Sequence, residues 1–234
     1  MFIRHIIASA LLTGMLGAAE FRGSVELADS LQPSVVKNKD YSGVVVWLEP
    51  VGAPAPVAPA TFTMLQKSKR FQPHVLAIPV GSTVDFPNVD PIFHNAFSNF
   101  AGQPFDTGLY RPGTSRKIQF RRDGVVRVFC NIHSSMSAVI VVLRTSYYAV
   151  TPQDGRFAMN NVPPGDYRLH VWHERAAPTV LEKLGRMVHV DAAGADVPVL
   201  RISESGFVQV PHKNKFGAEY GPEPSDKVYP GGHK

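Results

Sequence analysis

Cys130-Asn131-Ile132-His133-Ser134-Ser135-Met136 holds the single cysteine of the 234-residue chain, with a histidine three residues on and a methionine three beyond that. Val-Val-Arg-Val-Phe precedes it at 125–129 and Ala-Val-Ile-Val-Val-Leu follows at 138–143. Both runs are rich in β-branched residues, so the stretch reads as a tight loop between two strands. Thiolate, imidazole and thioether together suit few metals. Copper cycling between Cu(I) and Cu(II) fits best: soft sulfur suits Cu(I), imidazole suits both states, and methionine serves as a weak axial ligand of a His₂Cys site. Zinc takes four strong N, S or O donors and rarely a thioether. The loop supplies one histidine, so a second must come from elsewhere.

A lone cysteine acquires weight from where the chain is expected to go. Residues 1–19 read as a secretory signal, with Arg4 as the positive start, an apolar stretch at 6–16 and Gly17-Ala18-Ala19 as a small-residue cleavage site. The apolar run is too short for a membrane anchor. Residues 1–19 carry no twin-arginine pair and there is no cysteine at the cleavage point, so Sec-type export to the periplasm or beyond is expected, without stable membrane insertion. Outside the cytoplasm an unpaired thiolate is open to oxidation, and metal coordination protects it. The alternative, an inert buried cysteine on a core strand, lacks an explanation for His133 and Met136. The net charge of +5 is mild and the charges are interspersed, which argues against nucleic acid as a partner.

Outward from the loop the chain is a series of short strands. Residues 21–27, 43–48, 75–79, 83–86, 96–100, 117–120 and 125–129 are predicted strands, punctuated by Gly81, Pro87-Asn88, Asp90-Pro91, Pro112-Gly113 and Asp123-Gly124. This spacing predicts an antiparallel sandwich. A polar loop separates the first two strands. Residues 50–60 carry four prolines and read as a spacer. Beyond 143, strands are expected at 156–159, 167–173, 187–190 and 197–202, with a helical turn at 181–184. Residues 206–234 read as an extended tail.

The run Phe71-Gln-Pro-His-Val-Leu-Ala-Ile-Pro-Val-Gly-Ser-Thr-Val-Asp-Phe-Pro-Asn88, then Phe93-His94-Asn95-Ala96-Phe97, resembles the front half of a cupredoxin. Gly124-Val-Val-Arg-Val-Phe-Cys130 through Met136 to Val142 is similar to the ligand loop of that family, with the Cys-x₂-His-x₂-Met spacing of amicyanins rather than the longer His–Met gap of plastocyanins. The resemblance covers about 61–143. It implies a Greek-key sandwich holding one mononuclear type 1 copper, with His94, Cys130 and His133 as strong ligands and Met136 as the axial one. It implies that Asn95 bonds across to the Cys130 loop. It also implies that the loop histidine surfaces in an apolar patch, to which Pro91, Ile92, Phe93 and Ile132 would contribute. One departure stands out: plastocyanins carry a tyrosine before the cysteine as a second electron port, and this chain has Phe129. His74 is a competing ligand, set aside because the family has none there. His170 and His173 fall on opposite faces of one strand. His189, His212 and His233 read as ordinary surface histidines.

Thr151-Pro-Gln-Asp-Gly-Arg-Phe through Pro163-Pro-Gly-Asp-Tyr-Arg-Leu-His-Val-Trp-His173 resembles the carboxypeptidase regulatory-like domains, small transthyretin-like sandwiches without enzymatic activity of their own. Residues 146–205 hold too few strands for a full core. The strands within 20–52 are expected to complete it, which predicts that 44–48 pairs with strands after Tyr147. The fold class is therefore all-β: a cupredoxin sandwich inserted into a second, discontinuous one, a fusion found in exported bacterial proteins labelled methylamine-utilisation proteins. The resemblance implies an electron carrier, not an enzyme, whose partner is a dehydrogenase or a cytochrome. The rival reading is a copper chaperone or store using the same ligands. A copper oxidase or reductase would have a histidine adjoining the cysteine, where Phe129 and Asn131 stand.

Overall fold

The computed structural model describes residues 19–52, 54–99 and 102–221. The signal expected at 1–19 lies, Ala19 apart, outside the described residues, as do His233, Phe100 and the end of the tail. The chain is all-β, and the described helices are two short ones, Pro33–Asn38 and Pro178–Leu184. The first falls in the expected polar loop. Proline opens it, where the missing N–H costs nothing, and Lys39 closes it in the left-handed conformation.

The sandwich that carries Cys130 has a three-stranded and a five-stranded sheet. The small sheet orders Lys117–Gln119, Thr83–Asp85 and Thr61–Thr63; the large one orders Val75–Pro79, Ser137–Leu143, Gly124–Phe129, Phe97–Ser98 and Phe105–Asp106. Met64, Phe86, Tyr110, Phe120, Val128 and Ile140 are among the residues that fill the space between them. The expectation of an antiparallel sandwich needs correcting, because the sheets are mixed. Ser137–Leu143 runs parallel to Val75–Pro79, and Thr61–Thr63 parallel to Thr83–Asp85. Crossover connections bring sequence-distant strands side by side in parallel, and turn signals report only on local hairpins.

The second sandwich is assembled from both ends of the described chain. Val45–Pro50 lies between Tyr148–Val150 and Gly165–Trp172, antiparallel to both. Ala19–Ala28 pairs antiparallel with Arg156–Val162 and parallel with Ala195–Asp196 and Leu200–Ser203. The Asp154-Gly155 turn packs against the first of these strands. Gly155 has φ 73°, and a Cβ there would stand 2.3 Å from the Val25 carbonyl oxygen. Only glycine permits both the conformation and the approach.

The sandwiches share an apolar seam of Val45, Val75, Ala77, Val139, Val141 and Leu143, packed by Trp47, Tyr148, Val150 and Trp172. Alternation along the strands explains it. Ala138, Ile140 and Val142 face the Cys130 core while Val139, Val141 and Leu143 face the seam. Ser137–Leu143 is buried on both faces, which is why its sequence is a continuous apolar run.

Candidate metal centre

The Gly124–Phe129 and Ser137–Leu143 strands form an antiparallel pair ending at Phe129 and Ser137. Residues 130–136 are the loop between them. Cys130 N–H donates to the Met136 carbonyl at 3.1 Å, and Met136 N–H to the His133 carbonyl at 3.1 Å. These bonds curl the loop so that its three candidate ligands share one end of the sandwich.

His94 arrives from the other side. Asn88 begins a tight turn: its Oδ1 accepts from Asp90 N–H at 3.1 Å, and its Nδ2 donates to the Ile92 carbonyl at 2.8 Å. His94 then bridges antiparallel to Tyr110. Asn95 Oδ1 accepts from Asn131 N–H at 2.6 Å, tying the His94 segment to the Cys130 loop. Its Nδ2 donates to Asp106 at 3.3 Å.

His94, Cys130 and His133 converge, with donor atoms within 4.8 Å of one another. His94 Nδ1 lies 3.1 Å from His133 Nδ1 and 3.9 Å from Cys130 Sγ, and His133 Nδ1 is 3.5 Å from the same sulfur. The point in their plane that is equidistant from the three atoms lies about 2 Å from each, close to the usual metal–nitrogen distance and short of the usual metal–sulfur one. Met136 is wholly buried in the same core cluster as Cys130. His94 and Cys130 are 0% exposed and His133 is 1%, so the three candidate donors are almost wholly enclosed. That differs from the surface position implied for the loop histidine. Of the patch residues, Pro91 and Phe93 are exposed, Ile132 is half-buried and Ile92 is buried.

Asp90 orients His94, which sequence reasoning missed because Asp90-Pro91 reads as turn punctuation. Its Oδ2 stands 2.8 Å from His94 Nε2. A carboxylate accepts only, so Nε2 carries the proton and Nδ1 presents its lone pair to the cluster. Burial pulls the His94 imidazole below its ordinary pKa, against the raising effect of Asp90, which favours the neutral ring that metal coordination requires. For Asp90, burial pushes upward. The amides of Lys69 and Ser68, with His94, outweigh it and hold the carboxyl below its usual range.

The other histidines go elsewhere. His74 bonds the Ser137 carbonyl at 3.1 Å and the Glu174 carboxylate at 2.9 Å, outside the cluster. His170 stacks on Trp47, His173 meets Glu204 at 2.8 Å, and His189 meets Asp166 at 2.7 Å. His212 is a correction. Read as a surface residue, it is half-buried and stacks on Phe129, with ring centroids 4.0 Å apart. Its neighbourhood in sequence is polar and aperiodic, so nothing local foretells that contact.

No protein-family model matches the chain, and no curated protein matches it. Among solved structures, part of it is similar to a copper-containing nitrite reductase from Thermus scotoductus SA-01: 32% identity over 41% of this chain and 25% of the reductase, with a TM-score of 0.35. The chain thus spans about a quarter of that protein's length. A purple cupredoxin from Nitrosopumilus maritimus is 26% identical over 36% of this chain and 99% of its own, with a TM-score of 0.33. A variant amicyanin in its reduced state is 19% identical over 42% of this chain and 98% of its own, with a TM-score of 0.34. Each likeness covers less than half of this chain, and the reading of the site rests on its own side chains.

Proposed function

We propose that this chain is an exported electron-transfer protein holding one type 1 copper ion on His94, Cys130 and His133, with Met136 as the weak axial ligand. The observation that carries the reading is the buried triangle of two imidazole nitrogens and one thiolate sulfur, with sides of 3.1, 3.5 and 3.9 Å. A donor set of this softness and size suits copper in both oxidation states. The bound ion supplies a reversible one-electron couple. The protein's part is to hold the donors still: Asp90 fixes the His94 ring, Asn95 ties the two ligand segments, and the loop's own amides fix Cys130 against Met136. Little atomic movement is then needed per electron.

Export is supported by the leader-like residues 1–19 and by a lone cysteine that metal would protect. Among the described residues no helix is long and apolar enough to cross a membrane. The reading is of a carrier rather than an enzyme, because Phe129 and Asn131 flank Cys130 where a wire to a second copper would need histidine. Its partner would be a redox protein such as a dehydrogenase or a cytochrome. Copper delivery or storage through the same ligands is the second reading. Burial of all three donors favours retention over hand-off. Cycles of ascorbate reduction and reoxidation beside a Cu(I) chelator separate the two. A carrier regains its full visible band each cycle with copper retained, whereas a delivery protein loses Cu(I) to the chelator on the first reduction.

A further inference from the structure

Residues 207–221 contain no helix or strand, yet they lie against the Cys130 loop. Asn214 builds a compact turn. Its Oδ1 accepts from the N–H groups of Phe216 at 2.9 Å and Ala218 at 3.1 Å, and its N–H donates to the Ala218 carbonyl at 2.9 Å. Gly217 supplies the φ of 78° that this turn needs. The turn presents Lys215 to both ligand-bearing segments. Lys215 N–H donates to Asn131 Oδ1 at 2.9 Å, and its carbonyl accepts from Asn99 Nδ2 at 3.1 Å. Its ammonium meets Asp106 at 2.7 Å, and Asp106 is also the acceptor of Asn95 Nδ2.

On either side of the turn two rings meet the residues around the ligand cysteine. His212 stacks on Phe129 and meets Tyr220 edge-on, with centroids 5.1 Å apart. The Tyr220 hydroxyl donates to the Cys130 carbonyl at 2.7 Å. A phenol has one proton, so the 3.1 Å contact between Tyr220 and His212 Nδ1 is a bond in which the imidazole donates. The Lys213 carbonyl, 3.3 Å from that nitrogen, requires the same tautomer. The cross-strand ladder ends at Phe129, so the Cys130 carbonyl lies beyond it, and Tyr220 supplies this carbonyl with a donor.

We infer that His212, Lys215 and Tyr220 are positioning residues of the metal centre: residues 207–221 form a strap that fixes the Cys130–Asn131 peptide, and through it the thiolate ligand. The consequence for the metal rests on the copper reading; the fixing of the loop does not. A ligand held from behind before metal arrives is preorganised, and its place is the same in both oxidation states.

Two full-length variants test this. Tyr220→Phe deletes one hydroxyl and keeps the ring. Gly217→Val places a β-branched residue at positive φ, which springs the turn without touching the loop. The first readout is amide hydrogen exchange in the metal-free protein, where Asn131 N–H, bonded to Asn95, reports opening of the loop. Each variant should speed Asn131 exchange about five- to tenfold, the effect of losing one ordinary hydrogen bond, and leave Ala19–Ala28 protected as in the wild type. After copper loading, each should also shift the thiolate-to-copper band and the reduction potential. Wild-type exchange at Asn131 in both variants would overturn the inference. A wild type that takes up no copper would sink the proposed function instead, with the exchange data still deciding the strap.

Discussion

Asp90 shows how much of this site depends on a residue that binds nothing itself. One carboxylate accepts the N–H groups of Ser68 at 2.6 Å and Lys69 at 2.8 Å as well as His94 Nε2–H. Ser68 and Lys69 both have positive φ, a costly conformation for non-glycine residues that these bonds help to hold. Asp90→Ala should therefore weaken metal binding by about 10- to 100-fold, the usual cost of losing the partner of a ligating histidine. It should also cost about 1–3 kcal/mol of stability through the stranded amides. Competition against a chelator and denaturant unfolding check the two effects separately. Unchanged affinity would show that His94 needs no orienting partner. The three clustered donors were legible in the sequence because the cysteine loop and the His-Asn pair are short motifs of unusual composition. Asp90 was not, because aspartate before proline has a sufficient local explanation as a turn.

The same division between local and remote signals holds for the elements. Val75–Pro79 and Gly124–Phe129 follow from β-branched runs between turns, and the pairing of Val45–Pro50 with strands after Tyr147 follows from counting strands against the core they must close. Parallel partners were illegible, since they depend on crossovers rather than on any residue pattern. So was the cluster that closes the second sandwich. Glu204, just past Leu200–Ser203, is buried against His173 at 2.8 Å, Arg175 Nε at 2.9 Å and the Ser30 hydroxyl. It pins the ends of three strands from distant parts of the chain. Burial alone would raise its pKa, but the bonds from His173 and Ser30 and the charge of Arg175 win, and it falls from 4.5 to about 2. A carboxylate with a depressed native pKa contributes stability that is fully present above pH 4.5 and is lost as pH falls towards 2. By that linkage the group is worth roughly 3 kcal/mol at neutral pH. Urea unfolding across this window should show stability falling steeply in the wild type and less steeply in Glu204→Gln, which should also be the less stable protein at pH 7. Parallel pH profiles would remove Glu204 from the account.

At the scale of the whole molecule, the two sandwiches are not beads on a linker. The seam uses the outer faces of Val75–Pro79 and Ser137–Leu143, the strands whose inner faces build the core behind the Cys130 loop. His74 reinforces the seam with bonds to the Ser137 carbonyl and to Glu174, one on each sandwich. The strap closes the same loop from its other flank. Among the described residues the Cys130 loop is therefore held from several sides: by its own sandwich, by residues 207–221 from beyond the second one, and by strands the second one covers. In this frame His94, Cys130 and His133 are proposed to hold one copper ion. The most direct measurement is a Cu(II) titration of the purified protein beside Cys130→Ser, followed by visible absorption and EPR. One ion per chain is expected, with an intense thiolate-to-copper band and narrow hyperfine splitting, both absent from Cys130→Ser. Copper bound without that band, or bound equally well by Cys130→Ser, would contradict the proposal.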